Sequence, residues 1–216
     1  MVDGATEEQP ALAEWVELSD ALMRGLVHAL NNRVTAVSAF LELAALGDEE
    51  LTAQRVLPGE LIRLQQVNML FRLLLTEELP AEAMELSAVL DDALTLHSHH
   101  SRLREVRCEV VRQGTILPIR APRWALLRLL LLMLECAKQQ AGDIDGKPAA
   151  AVLQVGGQAQ AIEITVFADC EPSRYAREMA VLCGATLDFA AGKMTTRLPT
   201  LQTLRDDERR RNGAVD

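Results

Sequence analysis

Apolar residues recur at Trp15, Leu18, Leu22, Leu26, Leu30, Val34, Val37, Leu41 and Ala44, in steps of three and four. Such steps trace one buried seam along a long helix, predicted over residues 11–46. At about 100° per residue, His28 falls off that seam. Arg24, His28, Asn32 and Thr35 then share one polar stripe that faces solvent. Gly47-Asp48 ends the helix, and Asp48 followed by Glu49 and Glu50 suits the positive start of a second one. Pro58-Gly59 interrupts or restarts that second helix, after which Leu61, Leu64, Val67 or Asn68, Phe71 and Leu74 repeat at helical spacing. Two antiparallel helices cannot bury a full apolar stripe alone, so the pattern predicts a dimer whose paired hairpins form a four-helix bundle. The alternative is that the stripe packs on the C-terminal half of the same chain.

The pattern changes after Pro80, which marks residues 78–85 as a linker. Ser87 is placed to cap a helix running to about His100. Residues 107–112 and 116–120 read as short strands around Gln113-Gly114-Thr115, and Pro122 opens the most apolar helix of the chain. Residues 149–155 and 161–168 are two more strands, joined through Gly156-Gly157. Pro172 starts a helix through Cys183 that Gly184 terminates, and residues 185–190 with 194–198 form a closing hairpin. The fold class is therefore α+β, a helical hairpin followed by a mixed sheet with helices on one face. The expected organisation is a disordered tail over 1–10, the hairpin over 11–78, the α/β unit over 86–201 and a polar tail over 202–216.

Composition narrows the function. Hydrophobic residues make up 49% and charged residues 25% of the 216, the profile of a soluble globular protein. No stretch approaches the roughly 20 apolar residues that span a bilayer, and residues 1–10 lack the basic and apolar regions of a signal peptide. A cytoplasmic location is expected. Cys108, Cys136, Cys170 and Cys183 have no ligand-like spacing and read as thiols in the core. A formal charge of −9 argues against nucleic-acid binding, and the basic run at residues 209–211 reads as part of a solvated terminus.

The segment His28-Ala29-Leu30-Asn31-Asn32-Arg33-Val34 resembles the phosphoacceptor box of two-component histidine kinases, in which a histidine precedes an acid, an aliphatic residue, a polar pair, then Pro or Arg and an aliphatic residue. The departure is Ala29, which stands where the family has the acid that helps position and deprotonate the imidazole during autophosphorylation. Residues 86–201 are similar to the ATP-binding domain that follows these helices in the family, above all at Cys183-Gly184-Ala185-Thr186-Leu187 and Arg197-Leu198-Pro199. Leu132 and Cys136 stand where the family's helix carries asparagines for magnesium and triphosphate, and neither offers an oxygen to a hard cation. Asp169-Cys170-Glu171-Pro172 keeps an acid but lacks the glycines of the nucleotide-binding segment, and too few residues follow for a lid.

The resemblance thus implies a degenerate histidine-kinase-ATPase-like α/β sandwich on a dimeric hairpin, closest in kind to dimeric histidine phosphotransferases. His28 would be the phosphoacceptor and Asn32 an orienting residue, with Arg24, Asn31 and Thr35 as partner contacts. Phosphoryl transfer rests on in-line positioning and charge neutralisation, and a receiver domain can bring its own aspartate, lysine and magnesium. No cofactor of the chain's own is implied. The implied partners are response-regulator receiver domains, a sensor kinase and a second copy of the chain. Ala29 supports the alternative, a pseudokinase scaffold that dimerises and binds a kinase or receiver without carrying phosphate. His97, His99 and His100 lie at a helix end, where histidines either satisfy terminal carbonyls or ligate a metal; the former is the reading adopted.

Overall fold

The computed structural model describes residues 8–45, 50–75, 79–142 and 150–213. The cap expected at Asp48, the hairpin turn and residues 1–7 of the expected tail lie outside these. Helix α1 spans Glu8–Ala45 and α2 spans Glu50–Leu74. Residues 8–10 of the expected tail are therefore helical, since Pro10 in the first turn removes an N–H that no helical carbonyl would have bonded. Pro58 does not break α2, which continues through it with the ring on an exposed position.

The seam of α1 divides in two. Trp15, Leu18, Leu22 and Leu26 are buried, whereas Val34 and Leu41 are 48% and 55% exposed. Trp15 in the first half of α1 stacks on Tyr175 and lies under Arg128 of the C-terminal unit, whereas Arg33 in the second half pairs with Glu60 of α2. The alternative weighed for the stripe thus holds for its first half. On α2 the buried apolar residues among those described are Val67, Leu70 and Leu74, Glu60 is buried as well, and Leu61 is exposed.

The C-terminal unit begins earlier than expected. Within the expected linker, β1 (Glu82–Met84) pairs antiparallel with β3 (Ile119–Ala121). Helix α3 spans Leu86–His97 from an N-cap at Glu85 that makes no side-chain bond, so Ser87 is not the cap. Strand β2 (Cys108–Gln113) follows, then α4 (Arg123–Gly142), β4 (Ala151–Gly157), β5 (Ala161–Phe167), α5 (Arg174–Leu182), β6 (Thr186–Ala190) and β7 (Lys193–Pro199). The main sheet has the order β2-β4-β5-β7-β6, with β2 parallel to β4 and the other pairs antiparallel. Leu153, Val155, Ile162, Ile164, Val166, Met194 and Leu198 line its buried face, on which α4 lies with α3 and α5 beside it. Strands β2 and β3 belong to different sheets. Gly156-Gly157 is not the turn expected there but the end of β4, and a Cβ on Gly157 would lie 2.1 Å from the Thr115 carbonyl oxygen. The glycine serves a close backbone approach.

The expected C-terminal tail is also corrected. Leu201–Gly213 forms helix α6, whose first turn is capped by the buried Thr200: its Oγ1 accepts from the Thr203 N–H at 3.2 Å. Basic Arg210 and Arg211 in the last turn favour the negative helix end. Of the cysteines, Cys136 and Cys183 are buried and Cys108 half-buried, whereas Cys170 is exposed rather than in the core.

Trp15 helps to fasten α1 to this unit through two ring contacts. The Arg128 guanidinium of α4 lies between the Trp15 and Trp124 rings, 5.0 Å from each centroid, and donates to the Tyr175 hydroxyl at 2.8 Å. Trp15 in turn stacks on Tyr175 of α5 at 6.2 Å. Aromatic and cation–π contacts of this kind contribute about 0.5–2 kcal/mol each.

Candidate functional site

His28 projects from the middle of α1 with its side chain exposed, and Arg24, Asn31, Asn32 and Thr35 are exposed around it. Spacing of four residues sets Asn32 one turn beyond the histidine. Its Nδ2 lies 3.3 Å from His28 Nε2. With the amide donating, Nε2 is the acceptor and the ring proton sits on Nδ1. Arg24 pairs with Asp20 at 2.6 Å. Arg33, the basic position of the box, reaches across to α2 and donates to Glu60 at 3.2 Å, beside Arg63 from the same helix. Burial pushes Glu60 up, but the hydrogen bonds from Arg63 and Arg33 outweigh it and hold the carboxyl below its usual range.

The sequence did not show what stands opposite. The turn after α3 comes up against α1, and Ser98, His99, Ser101 and Arg104 join Arg24, Gly25, His28, Ala29, Asn32 and Arg33 around a hollow of about 470 Å³. Gly25 makes the approach feasible: a Cβ there would sit 1.5 Å from the His99 carbonyl oxygen. The Ser101 N–H donates to the Ala21 carbonyl at 3.3 Å and ties the turn to α1. His99 faces this hollow with its pKa lowered, first by burial and then by Arg33, which favours the neutral ring. The readable signal was Gly25 itself, a residue costing about 1 kcal/mol inside a helix unless something needs its missing side chain.

His97 and His100 point the other way and do not converge with His99. Their rings stack at 5.2 Å, and their Nε2 atoms lie 3.0 Å and 3.3 Å from one oxygen of Glu135 on α4. His100 Nδ1 accepts from the N–H groups of Arg102 and Leu103 at 3.2 Å and 3.0 Å, so its proton is on Nε2, the nitrogen beside Glu135. This is a structural clamp on the turn. Burial lowers the His100 pKa, which the Glu135 carboxylate opposes and His97, Arg102 and Lys138 reinforce. For Glu135, burial raises the pKa but the two histidines and Gln139 outweigh it, leaving it low.

Where the resemblance would place a nucleotide, Leu132 is 1% exposed and the Cys136 thiol is hydrogen-bonded to Cys170 and pushed far up, chiefly by burial. Pro172 is buried, and Ser173 caps α5 by accepting from the Ala176 N–H at 3.1 Å. The first turn of a short helix therefore follows Asp169 within a few residues.

No family model and no curated protein matches the chain. Among solved structures it is similar to the Acinetobacter baumannii histidine kinase AdeS, at 14% identity over 80% of this chain and 96% of that one, with a TM-score of 0.41. It is similar also to a bacterial phosphotransferase, at 15% identity over 85% of this chain and 96% of the other, TM-score 0.39. The histidine kinase ThkA, solved in complex with the response regulator TrrA, gives 11% identity over 92% and 67%, TM-score 0.44. Among the described residues, no helix is long and apolar enough to cross a membrane.

Proposed function

We propose that this chain is a histidine phosphotransferase of a two-component phosphorelay, carrying a phosphoryl group on His28 between receiver-domain aspartates and using no ATP of its own. The observation that carries this reading is an exposed imidazole whose Nε2 accepts from Asn32 in a hollow lined by three arginines and, among the described residues, no carboxylate. In the transfer, the Nε2 lone pair attacks phosphorus in line. The P–O bond of the receiver's acyl phosphate breaks with its electron pair passing to the aspartate carboxylate, and the ring proton stays on Nδ1. Charge spreads over the three phosphoryl oxygens in a loose transition state, so positioning and neutralisation do most of the work. The Asn32 amide then has a phosphoryl oxygen to donate to in place of Nε2. Magnesium enters with the receiver, and Arg24, Asn31 and Thr35 lie where the receiver would dock.

The exposed apolar positions Val34, Leu41, Leu61 and Met69 of the hairpin support a homodimer joined through α1 and α2. The protein would act in the cytoplasm, alongside a sensor kinase that feeds the first receiver. One observation favours a second reading, a non-catalytic scaffold: Ala29 leaves the imidazole without an adjacent acid.

The deciding experiment incubates the chain with phosphorylated receiver domains and locates acid-labile phosphate by mass spectrometry. Label on His28, and none on a His28→Gln variant whose stability changes by less than about 0.5 kcal/mol, is the expected result. Receivers that bind but leave wild type unlabelled would establish the scaffold instead.

A further inference from the structure

The hollow beside His28 is built by both units of the chain, and its charge is unusual for a protein of formal charge −9. Arg24 and Arg33 come from α1 and Arg104 from the turn after α3. Their carboxylate partners, Asp20, Glu60 and Glu105, are not among the lining residues. Each of these ion pairs engages one nitrogen of a guanidinium that carries N–H groups on three. The Ser101 hydroxyl adds a further donor from the turn. The place of the turn is set by buried contacts. His97 and His100 hold it to Glu135, the Ser101 N–H holds it to Ala21, and the gap left by Gly25 admits the His99 carbonyl.

We propose that this turn completes the phosphoryl site in cis: Arg104 and the Ser101 hydroxyl of the second unit close on the phosphoryl group at His28 Nε2, opposite Arg24 and Asn32. The proposal rests on the phosphoacceptor reading of His28 and adds to it. On that reading the α1 helix alone is an incomplete site, and the second unit contributes cation and donor to the group being carried. A phosphoryl group on an imidazole bears two negative charges when fully ionised, and a guanidinium neutralises such charge through hydrogen bonds stronger than neutral ones. Arg104 is thereby a positioning and charge-neutralising residue of the phosphorylated state. It has no part in holding the unphosphorylated fold, since its side chain is 55% exposed and bonded only to its neighbour Glu105 among the described residues.

Potassium phosphoramidate tests this without a partner protein. The His28 Nε2 lone pair attacks its phosphorus, the P–N bond breaks and ammonia leaves, so no further reactant is required. Full-length wild type, Arg104→Ala, Arg104→Lys, Ser101→Ala and His28→Gln are loaded in parallel. Mass spectrometry locates the label, and ³¹P resonances are followed against pH. The expected result is label on His28 in wild type, formed at least about ten-fold more slowly in Arg104→Ala and partly restored in Arg104→Lys. In Arg104→Ala the phosphoryl resonance should also titrate at higher pH than in wild type, a shift that a residue acting only on folding would not produce. Unchanged loading and titration in both Arg104→Ala and Ser101→Ala, with His28→Gln unlabelled, would overturn the contribution of the turn and leave the phosphoacceptor standing. Wild type left unlabelled at His28 by phosphoramidate and by phosphorylated receivers would overturn the phosphoacceptor reading, and this proposal with it.

Discussion

Replacing Gly25 by Ala pits helix propensity against packing at one position. In an unencumbered helix interior the change stabilises by about 1 kcal/mol. Here the new Cβ would lie 1.5 Å from the His99 carbonyl oxygen and 2.7 Å from its carbon. Both obstacles are backbone, so no side chain can swing aside. Relief requires α1 and the turn to separate by roughly 2 Å, given that unbonded carbon and oxygen approach little closer than 3.3–3.6 Å. Overpacking of this sort costs about 1–3 kcal/mol. Loss of the 3.3 Å bond from Ser101 to Ala21 adds about 0.5–1.5 kcal/mol. After the gain in propensity the net is a destabilisation of about 2 kcal/mol, or a fall of about 4–8 °C in Tm for a chain of this size. Gly59→Ala in α2 is the internal control, because a Cβ there meets nothing within 4 Å and its φ is not positive. That variant should gain about 1 kcal/mol from propensity alone. Thermal and urea denaturation followed by circular dichroism compare the two. If Gly25→Ala melts at or above wild type, as Gly59→Ala should, the close approach of turn and helix is not real and the geometry of the hollow fails.

Three further outcomes follow. Calorimetric titration with ATP and magnesium should give no measurable binding, because Leu132 and Cys136 supply no oxygen ligand; a micromolar Kd would refute this. Light scattering should give a dimer at micromolar concentration, and Leu41→Glu, at a position 55% exposed within one chain, should shift it toward monomer without loss of helicity; a wild-type monomer would rule the hairpin bundle out. Stability should decline as pH falls below about 6.5, the ordinary value for His100, since a histidine with a lowered folded pKa leaves the unfolded state as the better proton acceptor there. Glu135, also lowered when folded, extends the loss below its ordinary 4.5. His100→Gln should flatten the first of these windows in urea titrations run from pH 8 to 5, and an equal slope in both proteins would remove the basis for it.

The periodic elements were legible because their signals are local. The seam of α1, the run of leucines in α4 and the hairpin at Ala191-Gly192, where both residues have positive φ, are each written in a single stretch. What was not legible depends on pairs far apart in sequence. The parallel pairing of β2 with β4 joins segments separated by all of α4. The split of the α1 seam into a covered and an uncovered half depends on Trp15 meeting Tyr175. The candidate site divides the same way: His28, Asn32 and Arg24 could be placed on one face from spacing alone, but Arg104 and Ser101 could not. Helix α6 was missed for a different reason. Its polar sequence reads as a tail until Thr200 is recognised as a buried cap.

The closed apolar face of α4 and the approach of the turn to His28 meet in one helix. Glu135 precedes Cys136, yet its carboxylate faces the imidazoles of His97, which ends α3, and of His100 in the turn after it. An ionised carboxylate in so apolar a helix is costly unless hydrogen bonds satisfy it, and here His97 and Gln139 supply them, with the His100 ring 3.3 Å away. The cost of burying Glu135 is thus offset only while α3 ends where it does and the turn leaves in the direction that brings His99 to Gly25. Lys138, one turn along and also buried, has its own pKa lowered by that burial while Cys108 and Glu135 raise it. A helix carrying asparagines for a hydrated cation would need an open face toward solvent. This one has closed that face with leucine and thiol, and its buried charges brace the backbone that flanks the histidine.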